Sequence, residues 1–279
     1  MKKTLKGKFK PSAAAERAFY QQLKKVAQVS GHIVERHAEG AGLRNPKAMQ
    51  EELKRYSQKI TPWAARQSAK LLESVQKSNK RAYQNKSKAI GVALNLGVAE
   101  QPVGEVALAL LNEQVALIQS IPLEAGLRAQ RIAYEAFLKG TRAGASPELV
   151  KEFTEERLNA IAMHNQLANL SGEKELVEEM ERTTEVAVNR AMLIARTETA
   201  RANASFNQAR AISVGSRQYR WHNSGDGAVR HSHKVYKGKP LQGRIFSWDD
   251  PPTLSDGMTG HPGTFPNCRC FAEPVFDDE

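Results

Sequence analysis

The sequence predicts an α+β protein, with a mostly α-helical body to about residue 214 whose long last helix leads into a small C-terminal β-containing domain. Apolar residues recur at three- and four-residue steps over most of the first 214 residues, which is the period of an amphipathic helix. Beyond Gly215 the composition changes to short β-like runs separated by glycine and proline. The chain has 279 residues, which is enough for two domains.

Three helices are expected in the first ninety residues. The first opens after Pro11-Ser12 and stops near Gly40. The other two begin at Asn45-Pro46 and Thr61-Pro62, where the first residue of each pair caps the helix and proline takes the first helical position. Proline at these positions therefore marks helix starts.

The helical pattern continues beyond residue 90 after one interruption. Residues 90–104 are either a loop or a short extended segment, because apolar residues alternate loosely there with glycine and proline. The helical period returns at Glu105, is expected to end at Pro122, and resumes to Gly140. Ser146-Pro147 then opens a further helix.

The longest helix is expected to start at Ser171 and to end near Gly215, without an internal proline. Such a helix needs neighbours to pack against, since propensity alone does not hold it. The β-like runs that follow are QYRWH, GRIFSW and CRCFAEPV. A C-terminal domain this small buries little core, so it commonly needs a metal, a disulfide or docking against a larger body.

The net charge of +11 is concentrated in the first of three regions, which we expect at residues 1–100, 101–214 and 215–279. Residues 1–100 carry 21 Lys and Arg against 7 Asp and Glu, whereas the rest of the chain carries 20 against 23. A solvated helix face is the ordinary explanation of any single basic run. The total positive charge of residues 1–100, however, favours a surface that binds DNA or an acidic protein surface. The cations expected to make this contact are Lys2, Lys3, Lys6, Lys8, Lys10, Lys77, Lys80, Arg81, Lys86 and Lys88.

The sequence indicates neither a membrane span nor a secretory signal. Asn112, Glu113 and Gln114 interrupt the longest apolar run, whereas a span needs about 18 apolar residues in succession. The basic amino terminus is not followed by an apolar segment. We therefore expect the chain to fold in a cytoplasm.

Cys268 and Cys270 are the only two cysteines, and a single arginine separates them. Alternate residues of a strand point to the same face, so both sulfurs could approach one ion. Two alternatives stay open, a structural zinc site or reduced cysteines packed as small apolar residues, whereas a disulfide would close a very small ring. The candidates for further zinc ligands are His222, Asp226, His231, His233 and His261.

A second polar cluster follows the first β-like run. Asp226 lies in a Ser-Gly-Asp-Gly turn, and Arg230, His231 and His233 come shortly after it. A metal-dependent hydrolase or nuclease would use a histidine as base and Asp226 as a metal ligand. The alternative is a structural network in which Arg230 binds loop carbonyls and a carboxylate.

The third cluster lies on the last part of the long helix. Thr197, Glu198 and Arg201 share one face because three or four residues separate Arg201 from the other two. Glu198 and Arg201 form an ordinary solvated ion pair, or else Arg196 and Glu198 hold the small C-terminal domain against the helix.

Taken in order, these motifs resemble the phage Mu F-like minor head proteins, a family that includes portal-binding minor head proteins of other tailed phages. The pieces that carry the resemblance are RAMLIARTETARA, WHNSGDGAVRHSH, KGKPL, DDPP and PGTFPNCRC. The resemblance is strongest over residues 190–277 and weaker over 117–189, and residues 1–100 carry none. It places the family's motif residues on Arg196, Thr197, Glu198, Asp226, Arg230, His233, Cys268 and Cys270. Many members have a histidine shortly before Cys-Arg-Cys where this chain has Phe265-Pro266-Asn267, and His261 is the substitute at a different spacing.

The resemblance implies a virion component and not an enzyme. It implies a minor head protein near the portal, made in the host cytoplasm, that assists head morphogenesis and DNA packaging or ejection. Its implied partners are portal protein, the major capsid protein or other head proteins, and double-stranded genomic DNA. The alternatives are a metal-dependent hydrolase or nuclease at Asp226, His231 and His233, and a zinc-stapled DNA-binding module.

Overall fold

The structure is a computed structural model that describes residues 9–138 and 173–276. The helices in these ranges are α1 (Ala13–His37), α2 (Pro46–Lys59), α3 (Thr61–Ile90), α4 (Glu100–Leu138), α5 (Glu173–Glu181) and α6 (Thr183–Ser213). The strands are β1 (Ala38–Glu39), β2 (Gly42–Leu43), β3 (Gln218–His222), β4 (Val235–Tyr236), β5 (Lys239–Pro240), β6 (Ile245–Ser247) and β7 (Phe271–Val275). The predicted α+β class is confirmed. The helix expected at Ser146-Pro147 lies outside the described residues.

The helix starts predicted in the first ninety residues are confirmed. The Oδ1 atom of Asn45 accepts a hydrogen bond of 2.9 Å from the Ala48 amide, and Pro46 is the first residue of α2. The Oγ atom of Ser12 accepts from the Ala15 amide at 3.2 Å and caps α1 in the same way. α3 begins at Thr61, but the Thr61 hydroxyl donates to the Gln58 carbonyl at 2.7 Å and does not serve as the expected cap.

The expected helix end at Pro122 is wrong, because α4 continues through this residue. Proline removes the amide donor that would bond the Ile118 carbonyl, while the carbonyls on either side of Ile118 accept from hydroxyl groups. The Ser57 hydroxyl donates to the Gln119 carbonyl at 2.9 Å, and the Ser120 hydroxyl donates to the Leu117 carbonyl at 2.8 Å. Ile121, next to the proline, is fully buried, so packing holds the helix together here.

Two other boundaries differ from the sequence-based expectation. Residues 96–99 form a 3-10 turn, and α4 begins directly after it at Glu100. The expected single long helix is divided at Arg182 into α5 and α6. The Arg182 amide still donates to the Glu178 carbonyl at 3.0 Å, so the division is a local irregularity in a nearly continuous ladder.

The segment Leu96–Ala136 is long and apolar enough to cross a membrane, with a mean hydropathy of 1.4 in its most apolar window and 28% of that window buried. No span was expected at this position, because polar residues interrupt the apolar run at Asn112, Glu113 and Gln114. Length and composition alone are a weak indication, because core helices satisfy the same criteria. Glu113, in the middle of this helix, forms an ion pair with Arg201, which is a contact of a helix packed against protein.

Contacts divide the chain into two compact units, each assembled from separate stretches of sequence. Unit 1 contains Met1–Tyr20, Ala65–Val115 and Leu193–Glu279, and unit 2 contains Gln21–Ala64 and Ala116–Met192. The division into regions 1–100, 101–214 and 215–279 stays a prediction.

Unit 2 has an aliphatic core between α-helices. Its buried residues include Ile33, Val34, Met49, Leu53, Ala125, Ala129, Ile132, Ala133, Leu176 and Met180. The small residues of α4 allow a close approach, since a Cβ atom added at Gly126 would lie 2.8 Å from the Leu53 Cδ1 atom. Arg128 of α4 forms a buried ion pair with Glu179 of α5, and burial lowers the pKa of Arg128 to about 10.

Unit 1 contains the C-terminal sheet, whose antiparallel strands lie in the order β6-β3-β7. The side chain of Asn207 on α6 donates to the Ala272 carbonyl of the edge strand β7 at 2.8 Å. The Tyr83 hydroxyl of α3 lies 2.8 Å from both the Asn207 side-chain oxygen and its carbonyl. This buried network joins α3, α6 and the sheet around an aromatic core that contains Phe9, Tyr83, Tyr219, Trp221, Trp248, Phe265 and Phe271.

Candidate functional site

Residues from three separate motifs meet at one recess in unit 1. The recess has a volume of about 40 Å³. Its motif residues come from α6, from the loop after β3 and from the segment that precedes β7. The lining residues are Arg196, Ser224, Asp226, Ala228, Val229, Arg230, His233, Asn267, Cys268, Arg269 and Cys270.

The two cysteines line this recess from the segment just before β7. The run CRCFAEPV was expected to be one strand, but β7 begins at Phe271, after both cysteines. Both cysteines are free thiols with buried side chains, and Arg269 between them has 36% of its side chain exposed. The alternation expected for an extended segment therefore holds, with both sulfurs directed inward.

His233 joins the cysteines to form a compact group of donor atoms. Its Nδ1 atom lies 3.4 Å from the Cys268 Sγ atom and 3.6 Å from the Cys270 Sγ atom. All three donor atoms lie within 4.8 Å of one another, and all three residues are buried. The zinc ligands proposed at His233, Cys268 and Cys270 are thus brought together.

The surroundings shift the pKa values of the two thiols in opposite directions. A hydrogen bond with Cys270, and a second with His233, lower the pKa of Cys268 to about 4 although burial opposes ionisation. The same contact with Cys268, together with burial, raises the pKa of Cys270. These contacts favour ionisation of Cys268 over Cys270, and the Cys268 sulfur also accepts a 3.4 Å hydrogen bond from the Cys270 amide.

The other suggested zinc ligands lie elsewhere. His261 contacts the Tyr219 hydroxyl at 3.1 Å through Nδ1 and the Gln208 amide at 3.2 Å through Nε2. His222 is bound by Glu273 and Gln242, and His231 is exposed. His261 therefore does not replace the histidine that the family carries before Cys-Arg-Cys.

Three motif side chains hold the turn that precedes the first cysteine. Arg196 donates to the Asn267 side-chain oxygen at 2.8 Å, and the Thr197 hydroxyl accepts from the Asn267 amide at 2.9 Å. Arg230 donates to the Pro266 carbonyl at 2.6 Å. Each of these contacts fixes the backbone from which Cys268 projects.

Asn267 lines the recess and receives two of these contacts, although none of the predicted site residues included it. Its φ angle of 57° lies in the left-handed region, which asparagine adopts more readily than most residues. The dipeptide Pro-Asn directly before the cysteine was an available signal, because both residues are typical of turns.

Glu198 forms the ion pair with Arg201 that was one of the two alternatives, but its carboxyl group is buried and not solvated. Only 2% of this residue is exposed, and burial raises the pKa of its carboxyl group although Arg201 acts in the opposite direction. Arg201 donates to Glu198 at 3.1 Å and also contacts Glu113 of α4 at 2.5 Å. Glu198 thus contributes to packing around α4, whereas Arg196 holds the C-terminal segment.

The residues of the hydrolase hypothesis do not form an acid–base pair. Asp226 accepts from the Ala228 amide at 3.2 Å and lies 3.5 Å from the Arg269 guanidinium. His233 contacts the two sulfurs, and His231 is exposed. Asp226 and Arg230 instead behave as the structural network that the sequence offered as the alternative.

The predicted DNA-contacting cations occupy different environments. Lys10, Lys77, Arg81 and Lys88 are exposed, and Lys80 pairs with Glu100 at 2.6 Å. Lys86 is a correction, because it is only 3% exposed and its ammonium group lies 3.4 Å from Glu273. Lys2, Lys3, Lys6 and Lys8 lie outside the described residues.

Exposed cations form a line along α3 that the sequence analysis recognised only in part. We call this line the basic stripe, and it consists of Arg66, Lys70, Lys77, Arg81 and Lys88. Successive members are four or seven residues apart, which places all of them on one face of a helix. Arg66 and Lys70 were missed, although the same spacing continues to them.

Comparison with known proteins bears on the region that forms the recess. Residues 155–273 match the family described as Phage Mu protein F like protein. Over these residues, which we call the Mu F-like region, the chain is similar to this family. The expected resemblance is thereby confirmed, and all the motif residues that line the recess fall inside the Mu F-like region.

One relative comes from Haemophilus influenzae strain Rd and is described as an uncharacterized protein. It is 33% identical over 133 residues, which are 47% of this chain and 28% of the relative. The chain thus corresponds to a little over a quarter of that protein's length. No solved structure matches the chain.

Proposed function

We propose that this protein is a minor head protein of a tailed bacteriophage that assists head morphogenesis, associates with the portal and contacts genomic DNA without sequence specificity. The observation that carries the proposal is the match of residues 155–273 to the phage Mu F-like family. The match supports a role in head morphogenesis and a place in the virion. The portal, other head proteins and DNA are the finer part of the proposal.

The recess supports a structural role for the Mu F-like region. The polar side chains of Arg196, Thr197 and Arg230 bind the Pro266-Asn267 turn, and Asp226 binds its own loop. These groups are used to hold one segment of the chain against another. A protein that forms part of a particle needs such a fixed surface, and it needs no catalytic turnover.

The basic stripe supports the contact with DNA. Its cations lie along one exposed face of α3, and Glu73 is the acidic residue interspersed among them. Contact with phosphates requires positive charge at intervals and no base-reading element, and the affinity falls steeply with salt. A head protein beside packaged DNA would use such a face for sequence-independent contact.

The DNA contact is tested with two matched triple variants. One variant replaces Lys77, Arg81 and Lys88 with glutamine, and the control replaces the exposed Lys54, Arg55 and Lys59 of α2. We expect the stripe variant to lower the affinity for a random-sequence duplex at least about 10-fold and to reduce the log–log salt slope by about 3. The control should retain most of the affinity. Equal effects of the two variants would remove the stripe from the proposal.

The portal association is tested in purified phage heads. Cross-linking followed by mass spectrometry should give cross-links between the Mu F-like region and the portal protein of the same phage, with far fewer copies of this chain than of the major capsid protein. Cross-links to the major capsid protein alone would contradict the portal part. Absence of the chain from heads would contradict the virion assignment.

A further inference from the structure

The contact between His233 and the two cysteines is unusual for hydrogen bonds alone. Both sulfur atoms approach the same nitrogen, at 3.4 and 3.6 Å. A ring nitrogen carries either one proton or one lone pair, so it forms one good hydrogen bond. Two sulfurs at nearly equal distances from one nitrogen are instead the arrangement of three ligands around a common ion.

The distances agree with tetrahedral zinc coordination. With Zn–S bonds of about 2.3 Å and Zn–N bonds of about 2.0 to 2.1 Å, a tetrahedral angle places sulfur and nitrogen ligands about 3.6 Å apart. We propose that the protein binds one Zn²⁺ ion through the Nδ1 atom of His233 and the thiolates of Cys268 and Cys270, with a water molecule as the fourth ligand.

The surroundings provide space for the ion and its water. All three ligands line the recess, and a volume of about 40 Å³ exceeds the 10 to 15 Å³ that one water molecule requires. Asp226 also lines the recess, but it is bound by Arg269 and the Ala228 amide. The water therefore occupies the fourth position, and the recess is its path to solvent.

The rest of the site orients the ligands. The Cys270 amide donates to the Cys268 sulfur at 3.4 Å, which is the kind of outer contact that stabilises a coordinated thiolate. The rings of Phe265 and Trp221 pack against the His233 ring at centroid distances of 5.0 and 5.9 Å. Both rings are buried, so the imidazole has little freedom to turn away.

The ion would act as a staple. His233 belongs to a short 3-10 turn after β3, whereas the cysteines precede β7. One ion thus joins two irregular segments of a region with short strands, so its binding free energy would add to the stability of the folded chain. The zinc proposal concerns the stability of the fold and does not depend on whether the protein is part of a virion.

The test uses the full chain, purified under reducing conditions, treated with a chelator and titrated with Co²⁺. We expect about one equivalent to bind and to give thiolate-to-cobalt charge-transfer absorption with the d–d bands of a tetrahedral site. Zn²⁺ should then displace the cobalt and abolish the absorption. Reduced wild-type protein that binds less than about 0.1 equivalent, or that shows no thiolate band, would overturn the proposal.

Variants locate the site. Cys268→Ser and Cys270→Ser should each lose the charge-transfer absorption, whereas His261→Gln and His231→Ala should retain it. Retention of the full band in both cysteine variants would overturn the assignment, as would a 268–270 disulfide that persists under reducing conditions. The wild-type cobalt spectrum decides the matter even if a cysteine variant fails to fold.

Discussion

The two units of the chain are stabilised by different kinds of core. Unit 2 buries alanine, leucine, isoleucine and methionine between helices. Unit 1 buries tryptophan, tyrosine, phenylalanine and cysteine around a small sheet, and its core joins Phe9 to residues near the opposite end of the chain such as Phe271. An aliphatic helical core leaves a clear period in the sequence, whereas an aromatic core assembled from distant segments does not.

The buried polar groups differ in the same way. In unit 2, Arg128 and Glu179 form one buried pair between two helices. In unit 1, the Lys86 ammonium contacts Glu273, which binds His222, which in turn binds Gln242. A network of this kind depends on every member, because removal of one leaves a buried charge without its partner.

The aromatic core should show the largest effect. Trp221 is fully buried and contacts Phe246, Phe265 and His233. Trp221→Ala should lower the free energy of unfolding by about 3 to 5 kcal/mol, because a large cavity remains. Urea denaturation followed by circular dichroism measures this. The exposed Ile212 gives the control, and Ile212→Ala should cost less than about 0.5 kcal/mol.

Two glycines with positive φ angles distinguish the cost of close packing on α6 from the cost of backbone strain. Gly263 has a φ angle of 96°, and a Cβ atom there would lie 3.0 Å from the Cys270 carbonyl and 3.3 Å from that of Ala200. Gly263→Ala should cost about 2 to 4 kcal/mol, because it adds a clash to the strain. Gly257 has a φ angle of 81° but faces open space, so Gly257→Ala should cost only about 1 to 2 kcal/mol. Equal losses would show that the close approach is unimportant.

The polar network of unit 1 predicts an acid sensitivity. Burial disfavours ionisation of Glu273, but His222 and Lys86 outweigh it and hold the pKa of this carboxyl below 4.5. A lowered pKa means that the carboxylate stabilises the fold above pH 4.5, and that this stability is lost as the pH falls through the folded-state pKa.

Glu273→Gln should therefore cost about 1 to 3 kcal/mol at neutral pH and should flatten the dependence of unfolding free energy on pH below 4.5. Denaturant titrations between neutral and acid pH measure both effects. The exposed Glu73 of α3 serves as the control, and Glu73→Gln should change neither quantity appreciably. An unchanged acid slope in Glu273→Gln would contradict the network.

The smallest of these effects is expected in unit 2, at the Asn45 cap of α2. Asn45→Ala removes the side chain that binds the Ala48 amide, so it should cost about 1 kcal/mol. Asn45→Gly should cost only a few tenths, because glycine is tolerated at a helix cap. Thermal unfolding of the two variants in parallel tests this difference. A larger loss for glycine than for alanine would mean that the backbone, and not the missing cap, is responsible.

Much of the helical architecture could be predicted because its determinants are local. Asn45-Pro46 starts a helix through a contact within one turn of the chain, and Thr61-Pro62 lies at the start of the next helix. Pro122 was misjudged because tertiary packing continues α4 through this residue, as the burial of Ile121 and the contact from Ser57 on another helix show. Several cations of α3 were predicted to contact DNA. Only the structure showed that Lys86 is buried and that Arg66 and Lys70 belong to the basic stripe.

The sequence by itself determined the α+β class, the order of the family's motifs and the inward direction of both cysteines, because spacing along one segment decides which side chains share a face. Only the tertiary structure decided that His233 and not His261 joins the cysteines, and that Asn267 receives the contacts of Arg196 and Thr197. These partners lie tens of residues apart in sequence. The packing of the segment before β7 against α6 brings them together, and no local pattern records it.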